Sequence, residues 1–336
     1  MATYKGIQGF SVQTLAADPD NTSWVGSIFY NSTEGVFKTV KPGGISAATW
    51  ASGGPMNTGR NNTFGTGQTQ NGAVCAGGDY APAISFTETY DGTSWTEVNN
   101  LNNGRQDGAA VGTYTSALAI TGTPPGPAST TNVEAWDGTN WTAESDVNTA
   151  VQQAAGLGTS GAALKAGGST WGTPAPGNKA NTEVWNGSTW TEVNDLPTTD
   201  QLKGGGSSTA GFGLGLYAVS PSATVYEWDG TSWSTGTSYN TGRSRVGTSI
   251  FGTPTEFIIY GGSETPTIRS TKTEYYNGTS WTEVNDLSIA VATPGTCGTS
   301  TDALCFAGNW TSTPALNYNT QEWTVPDIVI NTLTTS

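Results

Sequence analysis

Short apolar runs recur along the chain, and each is followed by an aromatic residue, a turn and a second aromatic residue. The runs end in small residues and glycine, as at 73–78 and 257–262. Apolar runs of four to eight residues bounded by turn residues predict buried β-strands. No stretch is typical of a long helix, and the 46 glycines suit many turns. The pattern predicts an all-β protein made of short strands.

The turn between the two aromatic residues has nearly the same sequence in five places. It contains Asp-Gly or Asn-Gly, the strongest short hairpin signal, because both residues tolerate the positive φ of a type I′ turn. We therefore expect a tight hairpin between the last two strands of each repeat. The five copies lie at 90–95, 136–141, 185–190, 228–233 and 276–281.

The second aromatic residue of each copy is a tryptophan, and these tryptophans are evenly spaced. When Trp50 is counted as a divergent member, the spacings are 45, 46, 49, 43 and 48 residues. Repeats of this length with four short strands are typical of propeller blades. The tryptophans lie at 50, 95, 141, 190, 233 and 281.

A Gly-Thr pair precedes each apolar run and predicts the innermost strand of each repeat. Small residues suit that place, because several backbones converge there. The copy in the fourth repeat is degenerate, and we expect it near 211–213. The clear copies begin at Gly65, Gly112, Gly158, Gly247 and Gly298.

The last repeat lacks a fourth strand of its own, because Trp323 is followed by Thr-Val-Pro. We expect the strand around Trp50 to pair with the strand around Trp323. This pairing would close a ring of six four-stranded blades and remove the exposed sheet edges.

The repeat resembles the kelch repeat: a strand ending in Gly-Gly, an aromatic residue, a turn, a tryptophan and an Asn-x-Gly-Arg link. The resemblance covers roughly residues 46–326 and extends to kelch-like structural proteins of tailed bacteriophages, which use similar Asp-Gly-Thr-Ser-Trp sequences. It implies a six-bladed kelch-type β-propeller over 44–326. The links after Trp141, Trp190 and Trp281 lack Gly-Arg. The complete links lie at 57–60, 102–105 and 240–243.

The segments outside the repeats carry further strand signals. Residues 327–336 predict a short C-terminal tail strand. Residues 1–43 contain an apolar hairpin with a Glu-Gly turn, which resembles the short N-terminal module of phage structural proteins; alternatively it is an extra strand beside the ring. We expect this arm to anchor the protein in an assembly, because contiguous apolar patches mark interfaces. The residues concerned are Ile28, Phe29, Tyr30, Val36 and Phe37.

Composition argues against catalysis and against several classes of partner. The chain has no histidine, the usual general base and the commonest metal ligand, and kelch-type copper enzymes need it. Cys75, Cys297 and Cys305 fit neither a disulfide framework nor a zinc site. The net charge of -14 disfavours nucleic acid and anionic membranes. We expect no enzyme activity, cofactor, metal or membrane insertion, and a product made without a Sec signal.

The long loops between the second and third strands differ in length and sequence while the strands repeat. In a four-stranded blade these loops share one face with the links between repeats, opposite the Asp-Gly hairpins. Variable loops on a rigid scaffold are common recognition sites. The repeat does not explain Tyr80, Trp171 and Trp310, which are candidates to bind a sugar or a protein, or else pack on a neighbouring blade.

These features favour a non-enzymatic virion protein of the tail, fibre or capsid surface, assembled in the host cytoplasm. Its partners would be other virion proteins, further copies of itself and a host glycan. A cellular or secreted kelch-like lectin or adhesin is the alternative, and a glycosidase using Asp79 and Glu264 is a weaker one. Glutamates recur two residues before the third-strand aromatic, where a structural role is favoured over a pair of catalytic carboxylates. They are Glu88, Glu134, Glu183 and Glu274.

Overall fold

The protein is built almost entirely of β-strands. The computed structural model describes residues 12–79, 83–126, 128–170, 177–215, 222–265, 267–309 and 317–333. Helical structure in these ranges is limited to two single turns, η1 (Thr22–Trp24) and η2 (Ile45–Ala47). None of the helical segments in these ranges is long and apolar enough to cross a membrane. The predicted all-β class is confirmed.

Thirty strands are numbered in chain order. The first fifteen are β1 (Gln13–Leu15), β2 (Ile28–Asn31), β3 (Val36–Pro42), β4 (Thr49–Ser52), β5 (Phe64–Thr69), β6 (Gly72–Ala76), β7 (Thr87–Tyr90), β8 (Trp95–Val98), β9 (Ala109–Thr113), β10 (Ser116–Ile120), β11 (Val133–Trp136), β12 (Trp141–Glu144), β13 (Ala155–Thr159), β14 (Ala162–Ala166) and β15 (Ser169–Thr170). The others are β16 (Gly177–Asn178), β17 (Thr182–Trp185), β18 (Trp190–Val193), β19 (Leu202–Gly206), β20 (Gly211–Gly215), β21 (Val225–Trp228), β22 (Trp233–Thr235), β23 (Gly247–Thr248), β24 (Phe257–Tyr260), β25 (Thr273–Tyr276), β26 (Trp281–Val284), β27 (Gly295–Gly298), β28 (Asp302–Phe306), β29 (Thr320–Thr324) and β30 (Ile328–Thr332).

The chain divides into two compact units. The first unit comprises residues 1–48 and 325–336, and the second comprises residues 49–324. In the first unit one sheet has the order β1-β2-β3-β30, in which β1 and β2 are parallel and the other pairs are antiparallel. The C-terminal strand therefore pairs with the N-terminal hairpin, an arrangement that the sequence did not indicate.

The second unit consists of repeated four-stranded antiparallel sheets. Its described residues form six of them, and β15 and β16 add a two-stranded ribbon. Repetition of such sheets is consistent with a β-propeller. Their strand orders are β5-β6-β7-β8, β9-β10-β11-β12, β13-β14-β17-β18, β19-β20-β21-β22, β23-β24-β25-β26 and β27-β28-β29-β4.

The last of these sheets joins strands from both ends of the second unit. Strand β4 pairs with β29, and Trp50 lies opposite Trp323 with ring centroids 5.3 Å apart. The pairing partner predicted for Trp50 is the one observed.

The Asp-Gly hairpins have four-residue loops instead of two-residue type I′ turns, so the predicted turn type was wrong. In the first hairpin Tyr90 pairs with Trp95. The Asp91 carboxylate accepts hydrogen bonds from the N–H groups of Thr93 and Ser94, at 2.9 and 2.8 Å. Only Gly92 has a positive φ, +90°. Because the Asp91 side chain bridges the turn, no residue of the turn except Gly92 needs the left-handed backbone conformation.

The fourth-strand tryptophans pack between neighbouring sheets. Each lies 5.0–5.4 Å from the third-strand aromatic ring of its own sheet. Its indole N–H reaches the preceding sheet. Trp141 donates to Thr87 Oγ1, and Trp190 donates to the carbonyl of Ser145, both at 3.1 Å. Trp190 also packs in a cluster with Leu118 of the preceding sheet.

The first strand of the fourth repeat, which the sequence predicted as the innermost one, lies earlier than expected. It is β19, whereas residues 211–213 belong to the second strand, β20. Glycines occupy both strands of this repeat, so their presence could not distinguish one from the other. The other five Gly-Thr pairs begin in the first strands of their sheets, as predicted.

Candidate functional site

The three aromatic residues predicted to bind a ligand are Tyr80, Trp171 and Trp310, and all three lie outside the described residues. The structure does describe a surface on the second unit that includes parts of other loops between second and third strands. That surface also includes residues that lead into the first strands.

One cavity of about 50 Å³, here named the central cavity, is lined by residues from all six sheets of the second unit. Each sheet contributes two neighbouring residues at or just before its first strand, so these six strands converge at one place. The lining residues are Asn62 and Thr63, Asp107 and Gly108, Gln153 and Ala154, Leu202 and Lys203, Arg245 and Val246, and Thr293 and Pro294.

Backbone hydrogen bonds join these residues from sheet to sheet. The N–H of Asp107 donates to the carbonyl of Asn62 at 2.8 Å, and the N–H of Gln153 donates to Asp107 at 2.6 Å. Non-glycine residues rarely adopt the left-handed region. The left-handed conformation recurs at residues that make inter-sheet contacts, which indicates that these contacts impose it. Five lining residues have φ between +53° and +58°: Asn62, Asp107, Gln153, Arg245 and Thr293.

A wider depression of about 460 Å³ adjoins the central cavity and shares four of its lining residues. Its other walls come from loops between second and third strands and from the links, so it lies on the variable-loop face. Its volume is within the usual range for small-molecule sites. The lining residues are Asn62, Asp79, Ala83, Gln106, Asp107, Thr123, Pro124, Pro125, Gly126, Gln152, Gln153 and Arg245.

Two charged groups of the central cavity, Asp107 and Lys203, have shifted pKa values. Burial raises the pKa of Asp107 to about 6, against a hydrogen bond from the Gln153 amide (3.1 Å) and the charge of Arg245. Burial lowers the pKa of Lys203 to about 8, and the charge of Asp107 opposes this shift. Within the described ranges the Lys203 ammonium has no hydrogen-bond acceptor. The cavity thus combines two cations with one carboxylate.

The recurrent glutamates, by contrast, lie inside the sheets in closed ion pairs. Glu88 Oε1 lies 2.9 Å from Arg60 Nη2, and Glu88 Oε2 accepts hydrogen bonds from the backbone and side-chain N–H groups of Asn57. The charged side chains are at most 1% exposed in three such pairs. They are Arg60 with Glu88, Arg105 with Glu134 and Arg243 with Glu274.

A repeat without the link arginine supplies its cation from another strand. Val151 occupies the arginine position, and Lys165 in β14 places its ammonium 2.9 Å from Glu183 Oε1. Both charged side chains are fully buried. This repeat thus retains its buried glutamate, because a lysine replaces the missing link arginine as its partner.

The two remaining repeats change both partners. In one, the link residue is Asp200, and the third strand carries Tyr226, whose hydroxyl donates to Asp200 at 3.4 Å. In the other, Val291 stands at the link and neutral Gln321 replaces the glutamate, accepting a 2.8 Å hydrogen bond from the Ser288 N–H. This matched variation supports the structural interpretation of the glutamates.

The residues predicted for assembly lie on two faces of the first unit's sheet. Ile28, Tyr30 and Phe37 share one face, where Tyr30 and Phe37 pair with ring centroids 5.1 Å apart. Ile28 and Phe37 are each 38% exposed, whereas Phe29 is buried on the opposite face, which also carries Val36. Ile28, Tyr30 and Phe37 thus share one face of this sheet, and Val36 on the other face is partly exposed.

Sequence reasoning did not identify the residues of the central cavity. A positional signal existed, because Asn62, Asp107 and Arg245 each lie two residues after a link arginine. Their chemical types differ from repeat to repeat, so a search for repeated residues passes over them.

Across the described parts of the chain, no group of three or more acidic or cysteine side chains is placed to hold a metal ion. No protein-family model and no curated protein matches the sequence. The repeats and the geometry of the cavity are therefore the features that bear on function.

Proposed function

We propose that the six sheets form a closed, six-bladed kelch-type β-propeller, and that the protein is a non-enzymatic virion component of a bacteriophage. In this proposal the loop face binds a host glycan or another virion protein. The observation that carries it is the central cavity, to which each of the six sheets contributes two residues. Strands that line one cavity in this way are best arranged around a common axis.

Contacts between the first and last sheets support ring closure. In the first, second, third and fifth sheets, the glycine two residues after the second strand donates its N–H to the link of the next sheet, as Gly78 does to Arg105 at 2.9 Å. Gly308 of the last sheet donates in the same way to Arg60 before the first sheet, also at 2.9 Å. Strand β27 also lies against β5. The contact between the last and the first sheet thus has the same hydrogen bond as those four contacts between sheets that are consecutive in the chain.

The virion location is supported by the resemblance of the Asp-Gly-Thr-Ser-Trp hairpins to those of kelch-like phage proteins. The exposed face with Ile28, Tyr30 and Phe37 supports anchoring through the first unit. Apolar surface of this kind commonly lies in protein interfaces. We propose that this face binds a second copy of the chain in the assembled particle.

Immunogold electron microscopy of purified phage particles tests the virion location. Label on the tail, fibre or capsid surface is expected. Label confined to the envelope of cells that carry the gene would overturn the virion assignment and favour the lectin or adhesin alternative.

Light scattering of the full-length protein tests the anchor. We expect an oligomer, and we expect Ile28→Lys with Phe37→Lys to give monomers with an unchanged melting temperature. Ile268→Lys is the control, because Ile268 is 53% exposed in a loop of the second unit. A wild-type protein that is monomeric at all concentrations would overturn the anchoring role.

A further inference from the structure

We propose that the central cavity binds a carboxylate, and that the adjoining depression holds the remainder of an acidic saccharide of the uronic or sialic acid class. The proposal rests on the binding function proposed above and specifies its ligand. It is argued from the Lys203 ammonium, the charge balance of the cavity, and the volumes and lining of the two spaces.

Lys203 is the first reason. It lines the central cavity, and the structure provides no acceptor for its ammonium among the described residues. Lys203 is only partly exposed, and an ammonium that has neither full hydration nor a hydrogen-bond partner is unfavourable. The described cations that are fully buried in the second unit's sheets face glutamates, as Lys165 faces Glu183. An anionic ligand would give Lys203 the partner that the sheets supply elsewhere.

The charge balance of the cavity suits a monoanion. Lys203 brings a positive charge into the cavity for which the described residues provide no hydrogen-bond acceptor. One ligand carboxylate would neutralise that charge. Asp79 lies further out, on the wall of the depression, where a second ligand charge would meet repulsion. The chain's net charge of -14 also disfavours a polyanion.

The central cavity and the depression differ in volume and would therefore hold different parts of the ligand. About 50 Å³ has room for on the order of three water-sized groups, which matches the three heavy atoms of a carboxylate. It is too small for a sugar ring, whereas the adjoining depression of about 460 Å³ has room for one or two. The carboxylate would enter the cavity, and the ring would stay on the loop face.

The walls of the depression suit a ring with hydroxyl groups. Amide side chains come from Asn62, Gln106, Gln152 and Gln153. An amide both donates and accepts hydrogen bonds, as a sugar hydroxyl does. Asp79 adds a carboxylate, which can accept a hydrogen bond from a hydroxyl group. This mixture distinguishes a saccharide from an apolar acid such as a fatty acid.

A glycan array with acidic and neutral members of matched pairs tests the proposal. The probes are sialyllactose against lactose and a glucuronate-terminated disaccharide against its glucose counterpart. We expect binding to the acidic members, at least tenfold weaker with Lys203→Met and largely recovered with Lys203→Arg. Lys41→Met, which removes an exposed lysine of the first unit, should bind like the wild type.

Each result of the array bears on a different claim. Equal binding of acidic and neutral members, unaffected by Lys203→Met, would overturn the carboxylate site and leave the glycan-binding function standing. Binding to no glycan would overturn both the saccharide ligand and the glycan half of the proposed function. A melting temperature of Lys203→Met at or above that of the wild type ensures that lost binding does not reflect unfolding.

Discussion

The interior of the sheets and the central cavity both hold charged side chains, fully buried in the sheets and partly buried in the cavity, and they differ in how the charges are matched. Inside the sheets each recurrent glutamate meets a buried cation, as Glu274 meets Arg243 at 2.9 Å. Where the cation is absent, a neutral residue such as Gln321 takes the glutamate's place. In the cavity, Lys203 has no such partner among the described residues.

The difference separates charges that hold the fold together from charges available to a ligand. The same two positions, one in the link and one in the third strand, recur in the six repeats. Their partners change together, from arginine with glutamate to aspartate with tyrosine at Asp200 and Tyr226. The cavity residues show no such matched change, because each is a single contribution to one shared space. The predictions below test this division, beginning with the largest expected effect.

The first prediction concerns the packing between sheets, which should dominate stability. Trp190→Ala is expected to lower the free energy of unfolding by about 3 to 5 kcal/mol, because it leaves a large void in a buried contact. Denaturant titration measures the loss. Trp190→Phe is the control and should lose clearly less, since it keeps a ring. A loss below about 1 kcal/mol for the alanine variant would show that this tryptophan is not part of the core.

The second prediction concerns a matched charge pair. Arg105→Met should cost about 3 kcal/mol, because it leaves the Glu134 carboxylate buried without its cation. Adding Glu134→Gln should recover much of that loss, since the chain itself uses a neutral pair at Val291 and Gln321. A double-mutant cycle by denaturant titration measures the coupling. Strictly additive losses would contradict the account of these pairs as coupled units.

Much of the second unit could be predicted from its sequence, because local signals repeat there. The Asp-Gly hairpins, the paired aromatics and the partner of Trp50 follow from residue type and spacing. The turn type did not follow, because the Asp91 side chain closes the loop. The fourth repeat's first strand was misplaced, because its glycines do not distinguish β19 from β20.

The pairing of β30 and the central cavity were harder to predict, for two physical reasons. Strand β30 pairs with β3 across nearly the whole length of the chain, and no local signal specifies such a partner. The cavity collects two residues from each sheet, and these residues, which include Asn62, Gln153 and Thr293, have unrelated types. Only the folded arrangement brings them together.

The third prediction concerns the unmatched cation. Lys203→Met should stabilise the free protein by about 1 kcal/mol at pH 7, because burial disfavours the charged lysine. The folded-state pKa of about 8 lies below the ordinary value of 10.5, so the lysine is destabilising below pH 8, and this effect fades as the pH rises toward 10.5. Thermal melts at pH 7 and pH 10 measure the change. A variant less stable than the wild type at pH 7 would show that Lys203 is a matched structural charge.

The last and smallest effect concerns Asp107, which faces Arg245, Lys203 and Asp79 and accepts a hydrogen bond from Gln153. Its folded-state pKa of about 6 exceeds the ordinary 3.8, so the folded protein favours the protonated acid. Stability contributed by this group is therefore full below about pH 4 and is lost as the pH rises through 6. Asp107→Asn removes the titration but also alters the hydrogen bond with Gln153. The informative quantity is thus the change in the mutant's effect with pH.

We expect the stability of Asp107→Asn relative to the wild type to rise by about 1 kcal/mol between pH 4.5 and pH 7.5, a value reduced from the full shift because water reaches the cavity. Denaturant titrations at the two pH values measure it. Asp91→Asn is the matched control, because Asp91 lies in an exposed hairpin where backbone N–H groups lower its pKa. Its relative stability should fall or stay level over the same interval. If both variants respond alike, the carboxylate of Asp107 is matched as completely as those in the sheets, and the contrast between the two regions is lost.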